Sequence, residues 1–452
     1  MKRKRLAALG LAVLMAISVA ACGSGSDSGS SNTDAAPATD NAADDAAAPA
    51  QDAGNEEAAA PAESSGEKVK LQFYSWSDET AYLDPAVEAY NAQSEVAEVE
   101  VTYFPPTEYA EKILATFASG TEFDVLCVNG LSPYGEYKSK NTIQDISSYV
   151  EASGLDTEIY GDVFKTSNED GLYGLPYRGA VWLMFANESL FEKAGVPFSQ
   201  EQLTWDEYRE LAKQLTKDGT YGGLVGMDNF VLLQQLGGSV MDEDTSKIRE
   251  SLELWKALED DGGHVPFAEK LELSQNAGSL FTSAPAEYVA TFQNGTWGVA
   301  SYNSKYETGE MPFQYRVMPM PIPEGAEDYT APSSINYLSI AKSCKHPAEA
   351  YDFIEWMCTE PGATIIAEHA TLPAYSNADI EKIYLDAAKQ PDDTLAKIVF
   401  SKNNVPDVIY DPNYSAVETI LKEEQELYMI GEQDIDTTMS NFETRRAEVL
   451  GQ

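Results

Sequence analysis

The chain has 452 residues, with 74 acidic against 30 basic side chains and a formal net charge of −44. That balance leaves no basic stripe to neutralise phosphates, which argues against nucleic acid as a partner and fits a soluble surface protein that stays apart from its neighbours. The length exceeds what one hydrophobic core usually serves, so two domains are expected once the N-terminal segments are set aside.

Lys2 to Arg5 form a basic run, and Leu6 to Ala21 an apolar one too short for a typical spanning helix. The run ends Val19-Ala20-Ala21-Cys22, which resembles the lipobox of bacterial lipoproteins. The resemblance implies that residues 1–22 are a signal peptide whose Cys22 becomes the lipid-modified anchor. It places the protein on the extracytoplasmic face of the cell membrane, on the outer surface of a single-membrane bacterium rather than in a periplasm. Residues 23–67 are rich in Gly, Ser, Ala, Asp and Glu, without Lys, Arg or an aromatic residue. Such a segment cannot bury enough apolar surface to order itself. It reads as a tether spanning roughly 35–40 Å as a flexible coil.

From Val69 strands and helices alternate. Val69 to Trp76 reads as a strand, Asp84-Pro85 as a helix start, and Val99, Val101 and Tyr103 as a second strand. Thr107 to Gly120 reads as a capped helix and Phe123 to Val128 as a third strand. The spacing predicts an α/β protein with a parallel doubly wound sheet, whose ligands bind at the carboxyl ends of the strands. Those ends hold Trp76, Asp78, Glu79, Phe104 and Asn129. An indole, carboxylates and an amide on one edge suit a polyhydroxylated ligand. Capping by Asp78 and core packing by Trp76 are the plain structural alternatives.

Gly171 to Gly195 organises the rest: a Gly-rich turn, an apolar run interrupted by Tyr177 and Arg178, and a short helix between Asn187 and Gly195. Leu175 to Ala180 is expected to carry the chain from one lobe to the other, with Tyr177 and Arg178 beside the ligand and Val181 to Phe185 buried in the second lobe. Thr204 and Glu207 form a capping box, with Trp205 stapled to the helix it opens. Phe292 to Tyr302 reads as a turn followed by a strand. The proline-spaced Met318 to Pro323 reads as an extended segment, Pro332 to Ala341 as a strand, and Leu372-Pro373 as another crossing. Helices are expected from Pro347, with His346 as its cap, from about Asn413 to Gly431, and beyond Asp436.

Cys127, Cys344 and Cys358 remain after Cys22, an odd number that favours free thiols. His264, His346 and His369 are too far apart in sequence for a helical zinc pair, and no nucleophile elbow, P-loop or dinucleotide fingerprint occurs. Asp242-Glu243-Asp244 lacks the Gly and distal Glu of a calcium loop. No enzyme, metal or cofactor is expected.

FDVLCVNG at 123–130, YGLPY at 173–177 with FANESLFEKAG after it, TWDEYRELAKQLT at 204–216, FQNGTWGVA at 292–300, SIAKSCKHPAEAYDFIEWMCTEPGA at 339–363 and LPA at 372–374 occur in an order that resembles the extracellular solute-binding proteins of the maltose-binding type, receptors of ATP-binding-cassette importers. The resemblance covers nearly everything from Lys68 onward. It implies two α/β lobes of the periplasmic-binding-protein type II joined by crossing strands, residues 68–178 plus 319–372 and residues 179–318 plus 373–452, with the ligand between them. It implies a cleft lined by Trp76, Asp78, Glu79, Asn129, Tyr177, Arg178, Asp228, Asn229, Tyr302, Asn303, Ser334, Asn336, Tyr410 and Tyr414. An aromatic anchor is implied after a strand at 296–301, where the turn reads Tyr302-Asn303-Ser304-Lys305-Tyr306.

Arg178 then has two readings, a bidentate hold on an acidic sugar or a salt bridge to one of the many acids. The implied function is a monomeric, lipid-anchored receptor that captures a mono- or oligosaccharide and hands it to a membrane permease. A surface glycoside hydrolase or lyase, and a sensor or adhesin without a transporter, are the alternatives.

Overall fold

Strands and helices alternating from Val69 build a single twisted sheet in the computed structural model, which describes residues 68–161, 164, 168, 171–225, 230–272, 277–282 and 288–451. The signal segment, Cys22, the tether, Asp228 and Asn229 lie outside the described residues. β1 (Val69–Trp76) pairs in parallel with β2 (Ala97–Phe104), and on its other side with β3 (Val125–Val128), which is buried throughout. β4 (Leu175–Ala186), β5 (Tyr221–Leu224), β6 (Val289–Gly295), β7 (Arg316–Met318), β8 (Pro332–Ile340) and β9 (Val405–Pro406) complete it. The strand order is β2-β1-β3-β8-β4-β6-β5, with β7 on β4 and β9 on β8. The first three strands are parallel as expected, but β8 runs antiparallel to both β3 and β4, so the sheet is mixed.

Two hydrophobic cores meet on β4. Leu175 and Tyr177 pack in the first, with Leu71, Phe73, Val125 and Leu338. Val181 to Ala186 pack in the second, with Trp205, Tyr208, Phe292 and Val317. The strand has 12 residues, about 40 Å at the usual rise, which is long enough to serve both. Its near-continuous apolar sequence follows, because both faces of both halves are covered. The return path enters the sheet of the first core at Pro332, and Met320 and Ala331 still pack in the second core. A third contact lies at Leu372-Pro373, where Gly179 N–H donates to Leu372 O (2.9 Å) and Arg178 bridges Pro373. Near the C-terminus, Val417, Ile420, Met439 and Phe442, from the helices Tyr414–Met429 and Ile435–Leu450, join the first core.

Several local expectations change. The first helix begins at Thr80, not at Asp84-Pro85, because the turn Ser77–Glu79 already sets its direction. Asp84 accepts a hydrogen bond from the Tyr103 hydroxyl (2.6 Å) rather than capping. Phe292 to Tyr302 is the end of β6, a two-residue turn and the start of the helix Gly298–Thr308. His346 occupies the N-cap of Pro347–Cys358, but its side chain makes no capping bond. Cys127, Cys344 and Cys358 are free and buried.

Candidate ligand site at the crossing strand

The site begins with a β-bulge. Pro176 pairs with Tyr337 and Arg178 with Asn336, so Tyr177 is the extra residue on β4. A bulge re-aims side chains, and here two consecutive residues reach the same carboxylate. Arg178 Nε and Nη2 both donate to Glu79 Oε1 at 2.7 Å, while the Tyr177 hydroxyl donates to Glu79 Oε2 at 2.5 Å. The Cys127 thiol stands 3.9 Å from that second oxygen. Glu79 is 2% exposed and Arg178 9%. Burying two charges is tolerable because each oxygen of the carboxylate is matched by donors. Burial works against the Arg178 charge, but Glu79, Tyr82 and Tyr177 outweigh it and hold the guanidinium protonated. Burial, with Cys127 and Glu79 adding to it, likewise keeps the Tyr177 hydroxyl protonated and therefore a donor.

Arg178 thus answers the question the sequence left open: it is salt-bridged. It also lies with its Cζ 5.8 Å from the centre of the Trp76 ring, so the fold brings these two side chains together. Trp76 itself is buried and edge-on to Tyr109.

Across the ladder Arg178 faces Asn336, and Ala180 faces Ser334. Alternation puts Arg178, Ala180 and Trp182 on one face with Asn336 and Ser334. Asn336 is 3% exposed, yet its Nδ2 has no hydrogen-bond partner among the described residues, which is unusual for a buried amide. Beyond it, the Trp297 ring meets Trp182 edge to face at 4.9 Å and stays 38% exposed. Asp407, half-buried on the segment after β9, donates its backbone N–H to Ser333 O at 2.8 Å. Burial pushes its carboxyl up to about 7; the Trp182 indole bonding to it works the other way and Glu418 adds to the rise.

Asp78 and Asn129 are exposed at the carboxyl ends of β1 and β3. Tyr302 is a correction: it is buried in the second core against Phe185, Phe281 and Tyr315, and its hydroxyl accepts from Asn294. Asn303 is a second one, since its amide donates to Ala387 O and Ala388 O and accepts from Tyr315, fastening the middle of the helix Gly298–Thr308 to the C-terminal end of the helix Ala378–Ala388. Both moved because the strand before them ends at Gly295. Tyr410 packs beside Gly135 and over the Lys138 ammonium, and Tyr414 is fully buried in the first core. Trp182, Trp297 and Asp407 are not among the site residues expected from the sequence. The signal for Trp297 was present: a strand that closes on Gly295-Thr296 leaves the next residue, an indole, at the carboxyl end.

The family model described as bacterial extracellular solute-binding protein matches residues 74–364. Among solved structures, an ABC substrate-binding protein of Listeria monocytogenes in complex with cycloalternan is 22% identical with a TM-score of 0.74, covering 85% of this chain and 100% of that one. A sugar transporter of Rhizobium etli in an open conformation is 23% identical with a TM-score of 0.71, covering 83% and 98%. The sugar-binding protein MalE of Xanthomonas citri is 19% identical with a TM-score of 0.63, covering 85% and 98%. At these identities the likeness is one of fold, two α/β lobes joined by crossing strands. The family model matches well over half of the sequence and spans β1 to β8, and on that ground the chain belongs to the bacterial extracellular solute-binding proteins.

Proposed function

We propose that the solute is a carbohydrate, bound between the two lobes at the crossing strand and handed to the permease of an ABC importer. The observation that carries this reading is the exposed Trp297 indole, set against Trp182 on the face that also holds Arg178 and the unpaired Asn336 amide. An indole packs on the apolar face of a sugar ring, and donors beside it take the hydroxyls. Structures of the same fold carry cycloalternan in the Listeria protein and acarbose in the GacH receptor of Streptomyces glaucescens, which supports the class without fixing the sugar.

In this reading, binding selects the closed arrangement of the lobes through contacts with both, and β4 and Leu372-Pro373 serve as the hinge. The lipid on Cys22 and the acidic tether hold the body near the membrane at a distance that lets it reach the permease. Calorimetric titration against a panel of neutral and charged mono- and oligosaccharides tests the solute. Binding of an amino acid, peptide or metal ion with no response to any saccharide would overturn it. Mass spectrometry of the membrane fraction, reading lipid mass on the N-terminal peptide beginning at Cys22, tests the anchor.

A further inference from the structure

Glu79 occupies an odd position for a receptor whose surface is already strongly acidic. A lone guanidinium at a ligand site invites a carboxylate or phosphate, because its fork matches two oxygens. The Arg178 fork is already engaged: Nε and Nη2 both bond Glu79 Oε1, and Nη1 takes no part in that pair. Glu79 is itself saturated by Tyr177 on its other oxygen. The charge is therefore cancelled inside the protein, and the group is left as a rigid, neutral hydrogen-bond donor. Directly opposite on the ladder, Asn336 Nδ2 is a second donor, buried and without a partner among the described residues. The Asp78 carboxylate, next to Glu79 in the chain, is exposed at the carboxyl end of β1. An incoming anion would meet a neutralised arginine beside the Asp78 carboxylate, and a hydroxyl or ring oxygen would meet two donors.

We propose that Glu79 makes this site select uncharged saccharides and reject uronates and sugar phosphates, with Arg178 and Asn336 acting as a paired neutral donor to one ligand oxygen. The proposal rests on the carbohydrate reading above and adds the charge class of the ligand. Glu79 works through Arg178, so it is a positioning residue.

The test is titration of the wild-type protein with mannotriose, maltotriose and cellotriose beside trigalacturonate and glucose 6-phosphate. A neutral glycan is expected to bind at least about 100-fold more tightly than either anion, with the gap widening at low ionic strength. Anions binding as well as, or better than, every neutral glycan would overturn the charge selection and leave the carbohydrate reading standing. No response to any saccharide would remove both.

In Glu79→Gln the freed Arg178 charge should narrow the neutral-to-anion ratio about tenfold or more, and Glu79→Asp should preserve it. A merely structural role would lower both affinities together and leave the ratio fixed, which would overturn the proposal. Should Glu79→Gln fail to fold, the double variant Glu79→Gln with Arg178→Gln removes both charges, and it is expected to keep the preference for neutral glycans. Loss of that preference in the double variant would count against the proposal.

Discussion

Gly295 lies beneath the indole of Trp297: a Cβ placed on it would stand 1.9 Å from the ring's Cζ3 and 2.2 Å from Cε3. Only a residue without a side chain lets the ring fold back across the end of β6 and meet Trp182. The obstructing atoms belong to a half-exposed side chain, so Gly295→Ala should turn the indole away without moving backbone. Stability should change little, while saccharide affinity falls about tenfold or more. Trp297→Ala should cost ~2 kcal/mol of binding, roughly thirtyfold in Kd. Titration with the tightest glycan of a panel reads both. Unchanged affinity in Gly295→Ala would show that the ring is not a platform.

The strand–helix rhythm before Phe123 and the whole of β4 were legible because each rests on local chemistry. Gly120 and Gly195 close their helices in the left-handed conformation, and Thr204 and Glu207 make both capping-box bonds. The site was less so. Arg178 and its partner are 99 residues apart, and a pairing over that distance leaves no mark in local pattern. Tyr302 differs from expectation because β6 ends at Gly295, before the expected strand at 296–301 begins. Val299 and Tyr302 are spaced as a helix face, and both are buried in the helix that follows. The insertion of β8 between β3 and β4 depends on long-range topology, which strand signals in chain order do not reveal.

The capping box gives a direct stability prediction. Thr204 Oγ1 accepts from Glu207 N–H (3.2 Å), and Glu207 Oε2 accepts from Thr204 N–H (2.8 Å). Thr204→Ala removes the first bond and should cost ~1 kcal/mol, whereas Thr204→Ser should cost little. Urea denaturation followed by circular dichroism checks it, and equal midpoints for the wild type and Thr204→Ala would contradict the assignment.

A larger loss is expected at Gly222 in β5. A Cβ there would stand 1.9 Å from the carbonyl oxygen of Ala212, a backbone atom of the helix Trp205–Leu215. Backbone cannot swing aside as an exposed indole can, so the helix must lift from the sheet. Overpacking of this kind costs about 1–3 kcal/mol, occasionally more. The melting temperature of Gly222→Ala should drop by several degrees, at about 2–4 °C per kcal/mol. A variant that melts with the wild type would mean that the helix does not rest on this strand.

Asp407 should make stability depend on pH in an unusual direction. Burial raises its carboxyl from the ordinary 3.8 to about 7, against the lowering effect of the Trp182 indole and with the help of Glu418. Between those values the native state keeps a proton that the unfolded chain has released, so this group's contribution to stability is lost as pH rises through the window. Glu259, raised by burial from 4.5 to about 7, acts in the same sense. His264 opposes both: burial lowers it from 6.5 to about 4, so the unfolded chain binds the extra proton and stability rises with pH over that range. The wild-type profile is therefore a composite, and a single substitution isolates one component. Asp407→Asn cannot ionise, and it should gain stability relative to wild type steadily from pH 5 to pH 7 and then hold a constant difference, as read by melting temperatures in matched buffers. Parallel profiles across that range would mean that Asp407 is ionised at its ordinary pKa and that its contact with Trp182 does not bury it.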